Sequence, residues 1–312
     1  MLEIQDLKRF YGAYPALKGI SLKIGEGELH GFVGPNGAGK TTTIRILATL
    51  MKPSSGTARI DGVDLVAQPR KARDLIGYMP DFFGVYDHLK CWEYLDFYAR
   101  CHGVKSQRRR EMVRQLLELV QLEEKRETPV NDLSRGMKQR LCLAHALIHD
   151  PKLLLLDEPA SGMDPRARAE MKGILRSLRD MGKTVLISSH ILPELSEMCD
   201  SLTILDRGEV VFSGSVQALG EKMNGDAPVR ILLSRASTEQ ILKDAARVLR
   251  EFPEVRDVES PEDHVLTLRL GGGEDKMEEV LHALCLSGIP VWDFHRGEMN
   301  LEKVFMEVTG HD

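Results

Sequence analysis

No long apolar segment occurs in this sequence. None of its runs approaches the ~18 consecutive apolar residues that a membrane-spanning helix needs. The N-terminal stretch M-L-E-I-Q-D-L also lacks the basic region and apolar core of a secretory leader. Hydrophobic residues still make up 42% of the 312 residues and charged residues 29%, a balance typical of a soluble globular protein with a substantial core. We therefore expect a chain that stays in the cytoplasm.

Cysteine is scarce and scattered. The chain has five cysteines, an odd number, and no C-x-x-C pair. This spacing predicts neither a disulfide framework nor a zinc site. We expect reduced, mostly structural thiols. The cysteines are Cys91, Cys101, Cys142, Cys199 and Cys285.

Positive charge is not in excess. The formal net charge of −5 argues against a general nucleic-acid binder, which normally carries a basic stripe, and we expect no nucleic-acid partner. One basic run, K-S-Q-R-R-R at residues 105–110, opens a helical pattern. A solvated helix face is favoured over a phosphate-binding patch as its interpretation.

The pattern of apolar residues predicts two domains. In the first, residues 1–218, runs such as K-L-L-L-L-D and T-V-L-I-S-S are typical of buried parallel strands. A segment with helical period, about 82–150, interrupts this α/β core. Residues 219–227 are polar and contain two glycines, which predicts a linker. Residues 228–312 follow the order strand, helix, strand, strand, helix, strand, which is that of a ferredoxin-like α+β domain.

A phosphate-binding loop follows an early predicted strand. The stretch G-P-N-G-A-G-K-T matches the pattern G-x-x-x-x-G-K-[ST] and leads into a helical segment, as the motif requires. Glycines there let backbone N–H groups converge on phosphate oxygens at a helix N-terminus. Lys40 should reach the β- and γ-phosphates, and Thr41 should offer its hydroxyl to Mg²⁺. The candidate nucleotide-binding residues of this loop are Gly34, Pro35, Asn36, Gly37, Ala38, Gly39, Lys40, Thr41 and Thr42.

Two carboxylates follow an apolar run further along the chain. Asp157 and Glu158 come directly after four leucines, at the expected end of a buried strand. Asp157 is predicted to hold Mg²⁺, and Glu158 to orient and deprotonate the attacking water. Taken alone, the pair could equally be a polar strand terminus. The phosphate loop favours the catalytic interpretation.

Between these motifs stands L-S-R-G-M-K-Q-R, residues 133–140, and here the chain resembles the ATP-binding cassette (ABC) family. In the family's L-S-G-G-Q signature, the serine and the second glycine contact the γ-phosphate of ATP bound to the other subunit. Ser134 and Gly136 match those positions. Arg135 and Met137 depart from the pattern, since they replace a glycine and a glutamine.

Three further stretches extend the resemblance over residues 1 to about 218. The run from Glu158 to Asp164 resembles the catalytic glutamate and D-loop, which makes Asp164 a candidate nucleotide contact. His190 is similar to the switch histidine, a third candidate catalytic residue beside Glu158 and Lys40. Tyr11 takes the place of the aromatic that stacks on adenine, with Tyr14 and Phe10 as possible substitutes.

Asp81 stands where the family has the glutamine of its Q-loop, which touches Mg²⁺ and the attacking water and links the site to the membrane partner. An aspartate is shorter and charged, so it can ligate Mg²⁺ but cannot donate as an amide does. We therefore predict Asp81 as a third metal-binding candidate beside Thr41 and Asp157. The alternative is that Asp81 simply faces solvent.

The resemblance implies a P-loop NTPase fold of the ABC type, with a mixed sheet core and a helical subdomain, followed by the small ferredoxin-like domain. It implies an ATPase that uses ATP and Mg²⁺ and powers export through separately encoded integral membrane permease subunits, peripheral on the inner face of the cell membrane. The ending, residues 300–310, resembles the accessory domain of the ABC-2 type exporter branch. Because the signature acts on the other subunit's ATP, a second cassette, a copy or a relative, is needed.

Three alternatives stay open at this point. One is a soluble ABC ATPase of translation or DNA repair. Such translation factors usually carry two cassettes in one chain, and such repair ATPases carry long coiled coils or zinc-binding cysteines. A second is a regulatory nucleotide-binding module with little turnover, suggested by Asp81, Arg135 and Met137. A third is an uptake-type ATPase, because some of these also end in a ferredoxin-like domain.

Overall fold

The computed structural model describes residues 1–82, 84, 88–219, 228–234 and 237–296. The chain divides into two compact units, Met1–Val216 and Gln217–Asp312. The predicted linker, residues 219–227, lies outside the described residues except at its first position, and the ending at residues 300–310 lies outside them entirely.

The first unit alternates strands and helices. In chain order its elements are β1 (Leu2–Tyr11), β2 (Tyr14–Ile24), β3 (Leu29–Val33), α1 (Lys40–Leu47), β4 (Ser55–Ile60), β5 (Val63–Asp64), α2 (Pro69–Asp74), β6 (Ile76–Met79), α3 (Cys91–Cys101), α4 (Ser106–Leu119), α5 (Arg135–Ala146), β7 (Leu153–Leu156), α6 (Pro165–Asp180), β8 (Thr184–Ser189), α7 (Leu192–Ser196), β9 (Ser201–Asp206) and β10 (Glu209–Ser215). Two short 3-10 turns, Glu123–Lys125 and Val130–Asp132, precede α5.

Two sheets form the core of this unit. The smaller sheet is antiparallel, in the order β2-β1-β4-β5. The larger has the order β10-β9-β3-β8-β7-β6, and all its pairings are parallel except the hairpin of β9 and β10. Strands β3, β7 and β8 are buried along their whole length, which explains their mostly apolar sequences. The loops that follow these three strands therefore meet at one edge of the sheet.

Helices α3, α4 and α5 fill the segment between β6 and β7, where the sequence predicts the helical subdomain. Aromatic rings join α3 to α5: the ring of Tyr98 stacks on that of His145 with centroids 3.7 Å apart. Burial lowers the pKa of His145 to about 4, so the imidazole is neutral near pH 7 and stacks without the cost of a buried charge. Among the residues that the structure describes, no helix is both long and apolar enough to cross a membrane.

The second unit has the elements β11 (Pro228–Leu233), α8 (Glu239–Leu249), β12 (Val255–Glu262), β13 (Val265–Leu270), α9 (Glu274–Leu286) and β14 (Val291–Arg296). Its sheet has the order β12-β13-β11-β14 and is antiparallel throughout. This order confirms the predicted ferredoxin-like fold. Apolar residues of β11, β13 and both helices form its own core, among them Ile231, Leu268 and Leu284.

Candidate active site

The loop between β3 and α1 is shaped by its glycines. Gly37 and Gly39 have φ angles of 84° and 111°, in the left-handed region that glycine adopts without steric cost. A Cβ on Gly39 would also lie 2.6 Å from the side chain of Leu17 and 3.0 Å from the carbonyl of Ala16. Helix α1 begins directly after this loop at Lys40, so its unpaired backbone N–H groups favour an anion at this end.

Lys40 places a buried ammonium group at the start of α1. Its side chain is 6% exposed, and Nζ donates to the carbonyls of Gly34 at 2.6 Å and Pro35 at 3.2 Å. Nζ also lies 3.6 Å from Oε1 of Glu158. Burial lowers the pKa of Lys40, and the Glu158 carboxylate opposes this shift. The Lys40 ammonium is thus held between the phosphate loop and the carboxylate that follows β7.

Asp157 is the most enclosed carboxylate of the site, at 1% exposure. Its Oδ1 accepts hydrogen bonds from the hydroxyls of Thr41 at 3.2 Å and Ser188 at 2.8 Å. Burial raises the pKa of Asp157, and the charges of Glu158 and Asp81 act in the same direction, while the two hydroxyls oppose it. A cation at this position would stabilise the ionised carboxylate.

Glu158 turns the chain away from the direction of β7. Its φ of 49° lies in the left-handed region, and its N–H donates to Oγ of Ser188 at 3.0 Å. Its Oε2 lies 2.9 Å from Nδ1 of His190, while Oε1 faces Lys40. Lys40 at the start of α1 and His190 directly after β8 therefore orient a single carboxylate that is 14% exposed.

Ser188 was not among the sequence-based candidates, although it bonds to both Asp157 and Glu158. It lies on β8, which pairs with β7 in parallel. The available signal was a hydroxyl near the end of an apolar strand, and such a signal is common in α/β proteins. Only the pairing of the two strands distinguishes this serine from others.

Most of the predicted residues meet in one cavity of about 420 Å³. The phosphate loop and α1 form one wall, the aromatic rings of Tyr11 and Tyr14 a second, and acidic and imidazole groups a third. Its lining residues are Tyr11, Tyr14, Ala16, Asn36, Gly37, Gly39, Lys40, Thr41, Thr42, Asp81, Glu158, Ser161 and His190. The cavity therefore combines flat aromatic surfaces, a glycine-rich loop at a helix N-terminus and a carboxylate that contacts a histidine.

Two predicted groups of residues lie elsewhere. Ser134 begins α5, where its Oγ accepts from the N–H of Met137 at 3.3 Å, and Asp164 caps α6 by accepting from the N–H of Ala167 at 2.9 Å. Neither residue lines the cavity, and nor does Gly136. The contact of Ser134 and Gly136 with the nucleotide of a second subunit, and the contact of Asp164 with a nucleotide, stay predictions. Gly34, Pro35 and Ala38 belong to the loop but do not line the cavity.

Asp81 and Tyr11 occupy the cavity wall with exposed side chains. Asp81 is close enough to raise the pKa of Asp157, although it is the smallest of the causes. The hydroxyl of Tyr11 donates to Sδ of Met51 at 3.2 Å, and the guanidinium of Arg9 lies 5.1 Å from the Tyr11 ring centroid. One ring face of Tyr11 is thus partnered by a cation. The metal-binding role of Asp81 stays a prediction.

The oxygen-bearing side chains of the predicted metal site are chemically suited to Mg²⁺. Thr41, Asp157 and Asp81 supply hydroxyl and carboxylate oxygens, which are the ligands that this hard cation prefers. In the described part of the chain, no group of three or more histidine, cysteine or acidic side chains could hold a metal ion. A magnesium ion here would consequently be shared with the phosphates of a nucleotide, as is usual for Mg²⁺.

Comparisons with known proteins agree with the ABC-type resemblance of the sequence motifs that form the cavity. The family described as "ABC transporter" matches residues 17–161. The daunorubicin resistance ATP-binding protein DrrA2 of Streptomyces coeruleorubidus is 34% identical over 307 residues, which cover 98% of this chain and 94% of that protein. The Nod factor export ATP-binding protein I of Burkholderia orbicola (strain AU 1054) is 34% identical over 317 residues, 100% of this chain and 97% of that protein.

A solved structure resembles about two thirds of this chain. A dimeric ATP-binding cassette in a post-hydrolysis state, bound to ADP and Pi, aligns with a TM-score of 0.63 and 26% identity. The alignment covers 69% of this chain and 99% of that chain. The similarity in fold thus extends over the whole of that cassette.

Proposed function

We propose that this chain, which belongs to the ABC transporter family, is the ATP-hydrolysing subunit of an exporter. One observation carries the proposal: Lys40, Glu158 and His190 converge beside the Thr41–Asp157 pair on a cavity that has aromatic walls. End-to-end similarity to a daunorubicin resistance protein and to a Nod factor export protein supports export as the direction of transport.

The arrangement supports a division of roles. Backbone N–H groups of the loop and the Lys40 ammonium bind the phosphates, and Tyr11 or Tyr14 stacks on the base. Glu158 accepts the proton of the attacking water. His190 holds Glu158 through Oε2 and orients it as a base. Among the residues that the structure describes, only Glu158 combines a carboxylate, a place on the cavity wall and a side-chain partner that positions it.

Magnesium would be held by Thr41, Asp157 and Asp81. Its charge, when bound, offsets the negative charge of the phosphate oxygens. The hydroxyls of Thr41 and Ser188 keep one oxygen of Asp157 fixed, so the carboxylate is oriented before it binds a cation. Such orientation by neighbouring donors is what metal-ligating carboxylates commonly show.

A second cassette and membrane subunits complete the proposed assembly. The family of this chain comprises transporter subunits, and the related cassette bound to ADP and Pi is dimeric. Ser134 and Gly136 lie at the start of α5, outside the cavity of their own chain, where they would be available to a partner's nucleotide. ATP would then join two cassettes, and its hydrolysis would separate them.

The substitution Glu158→Gln tests the proposal. The amide preserves the size of the side chain but cannot take a proton, so ATP should still bind while turnover falls by about 10³-fold or more. The variant should therefore elute as a dimer from size exclusion in ATP and Mg²⁺. Lys40→Ala is the contrasting variant, because loss of the ammonium should weaken ATP binding itself. A Glu158→Gln protein that stays monomeric and hydrolyses ATP like the wild type would overturn the assignment.

A further inference from the structure

A second cavity lies in the helical segment between β6 and β7. Its volume is about 530 Å³, and it shares no lining residue with the nucleotide cavity. Helix α3 contributes Trp92 and Asp96, helix α4 contributes Arg110, and the segment after α4 contributes Arg126. Three successive stretches of the chain thus form one concave surface.

Positive charge dominates this surface. Four arginines line it, namely Arg100, Arg109, Arg110 and Arg126, against the two carboxylates of Asp96 and Glu127. Two positive charges therefore remain uncompensated by the lining. Guanidinium groups present a planar fork of donors that suits phosphate and carboxylate oxygens.

The carboxylates of the lining accept hydrogen bonds from only some of the arginine N–H groups. Asp96 is shared by two arginines, Arg100 at 2.7 Å and Arg109 at 2.8 Å. The contacts of Arg126 with Glu123 and Glu127 are longer, 3.6 and 3.7 Å, beyond hydrogen-bond distance.

Arg110 has still fewer partners. Among the described residues, none forms an ion pair with Arg110. Its guanidinium is exposed, and the residue lines the cavity. Arg110 and Arg126 can thus turn donors to a ligand without breaking a short internal hydrogen bond.

Two features beside the arginines would favour binding of an anion that carries an organic group: the N-terminus of α4 and the indole ring of Trp92. Ser106, the first residue of α4, lines the cavity, and no acidic side chain occupies the first turn of this 14-residue helix. The helix terminus therefore adds positive potential to that of the arginines. Trp92 supplies an aromatic surface, and its Nε1 donates to Oε2 of Glu127 at 3.3 Å, which orients the indole ring.

We propose that this cavity binds a phosphate monoester. At neutral pH such a group carries about −1.5 to −2 charges, which matches the excess of four arginines over two carboxylates in the lining, whereas a single carboxylate would compensate only one of these charges. The ester could belong to a small soluble metabolite or to the head group of phosphatidic acid in a membrane. The shared chemistry is a dianionic phosphate received by Arg110 and Arg126 beside Trp92.

Tryptophan fluorescence provides the test, because the chain has two tryptophans, Trp92 and Trp292. In the variant Trp292→Phe, emission reports on Trp92 alone. We expect a saturable change of this emission on titration with inorganic phosphate, or with phosphatidylcholine vesicles that contain phosphatidic acid, and none with pure phosphatidylcholine vesicles. A response in solution indicates a soluble ester, and a response to vesicles alone indicates the lipid head group.

A matched pair of variants assigns the response to the cavity. In the Trp292→Phe background, Arg110→Gln should weaken the apparent affinity about tenfold, as expected for loss of a charge-assisted hydrogen bond. Arg108→Gln removes the same charge from the same helix, but Arg108 does not line the cavity. The apparent affinity of this variant for the phosphate probe should therefore change less than about twofold. Thermal unfolding of both variants should match the parent, because both side chains are exposed.

Lys40→Ala in the same background separates this cavity from the phosphate loop, since the response of Trp92 should persist without Lys40. Three results would each overturn the proposal: no response to either probe, an equal loss in Arg110→Gln and Arg108→Gln, or disappearance of the response in Lys40→Ala. None of these results bears on ATP hydrolysis, which Glu158→Gln tests separately.

Discussion

At the scale of single residues, a serine organises the two carboxylates of the site. The hydroxyl of Ser188 donates to Asp157 and accepts from the N–H of Glu158. The second bond fixes the backbone where Glu158 adopts a positive φ, a conformation that costs free energy in a residue other than glycine. Ser188 therefore couples the orientation of Asp157 to that of Glu158.

Replacement of this serine should reduce activity and stability together. Ser188→Ala leaves the buried Asp157 with one donor fewer, so we expect a loss of about 1–3 kcal/mol in the free energy of unfolding and about tenfold in ATP turnover. Ser189→Ala is the control, because the Ser189 hydroxyl accepts from the N–H of Ile191 at 3.0 Å and, among the described residues, bonds to neither Asp157 nor Glu158. Urea unfolding and steady-state ATPase assays measure both effects. Equal losses in the two variants would contradict a specific role for Ser188.

A second residue-scale feature predicts a pH dependence of stability. The carboxylate of Glu28 lies 3.3 Å from Nδ1 of His30 and accepts from the N–H of Gly25 at 2.6 Å and from the hydroxyl of Ser201. The contact with His30 is the largest cause that lowers the pKa of Glu28 from 4.5 to about 2. A lowered pKa in the folded state stabilises the fold above the unfolded-state pKa, and this contribution is lost as pH falls from about 4.5 towards 2.

Glu28→Gln should therefore destabilise the protein at pH 7 and progressively less at each step below about pH 4.5. Urea unfolding of both proteins at pH 7, 4.5 and 3 measures the difference. Glu26→Gln, at an exposed position two residues away, controls for the loss of one negative charge. A difference between Glu28→Gln and wild type that does not change with pH would contradict this account.

At the scale of elements, close approach between α5 and β6 holds the helical segment to the sheet. A Cβ on Gly77 in β6 would lie 2.3 Å from the backbone carbonyl of Ala146 at the end of α5 and 2.7 Å from the side chain of Leu154. Backbone atoms cannot move aside as a flexible side chain can. Glycine is thus required here for packing, although its φ is not positive.

Two glycine substitutions with opposite expected effects on the free energy of unfolding test this packing. Gly77→Ala should lower the free energy of unfolding by about 1–3 kcal/mol, because α5 must move away from β6. Gly173→Ala, inside α6, meets no atom within 4 Å and should raise it by about 0.5–1 kcal/mol through better helix propensity. Chemical unfolding checks both, and a stabilised Gly77→Ala protein would disprove the close approach.

Helix α5 also contacts the segment that follows Asp157 and Glu158. The side-chain amide of Gln139 donates to the carbonyl of Ser161 at 3.2 Å, and a Cβ on Gly162 would lie 2.5 Å from the guanidinium of Arg135. The arginine that departs from the family signature therefore packs against the loop after Glu158. The start of α5 and this loop form one continuous contact surface.

At the scale of the whole molecule, the chain combines two units with separate cores. Every described residue that lines the cavity beside the phosphate loop belongs to Met1–Val216. The core of the second unit is formed by its own residues, such as Val229, Leu249 and Val280. Each unit therefore buries its own apolar side chains.

Truncation tests this independence. A chain that ends at Glu221 should remain folded and bind ATP with an affinity within about threefold of the full chain, because every proposed nucleotide contact is retained. Circular dichroism and a fluorescent ATP-analogue titration measure folding and binding. An unfolded truncated chain would contradict the independence of the cores, and a folded one that no longer binds ATP would show that the second unit contributes to the site.

The sequence by itself determined the features that depend on contiguous residues or on a regular period. The phosphate loop, the Asp157–Glu158 pair after four leucines and the order of strands and helices in the second unit are of this kind, and the predicted fold class is confirmed. Backbone geometry and strand periodicity act over a few neighbouring residues, so a linear pattern records them.

Only the tertiary structure decided which distant side chains meet. The bonds of Ser188 to the Asp157 carboxylate and to the Glu158 N–H, and the contact of His190 with Glu158, join residues that are 30 to 32 positions apart along the chain. The arginine cavity beside Trp92 joins two helices and the segment that follows them. Such contacts depend on strand pairing and helix packing, and many other sequences would satisfy the same local patterns without forming them. The basic run at 105–110 illustrates this limit, because its pattern did not reveal that Arg110 faces a cavity while Arg108 does not.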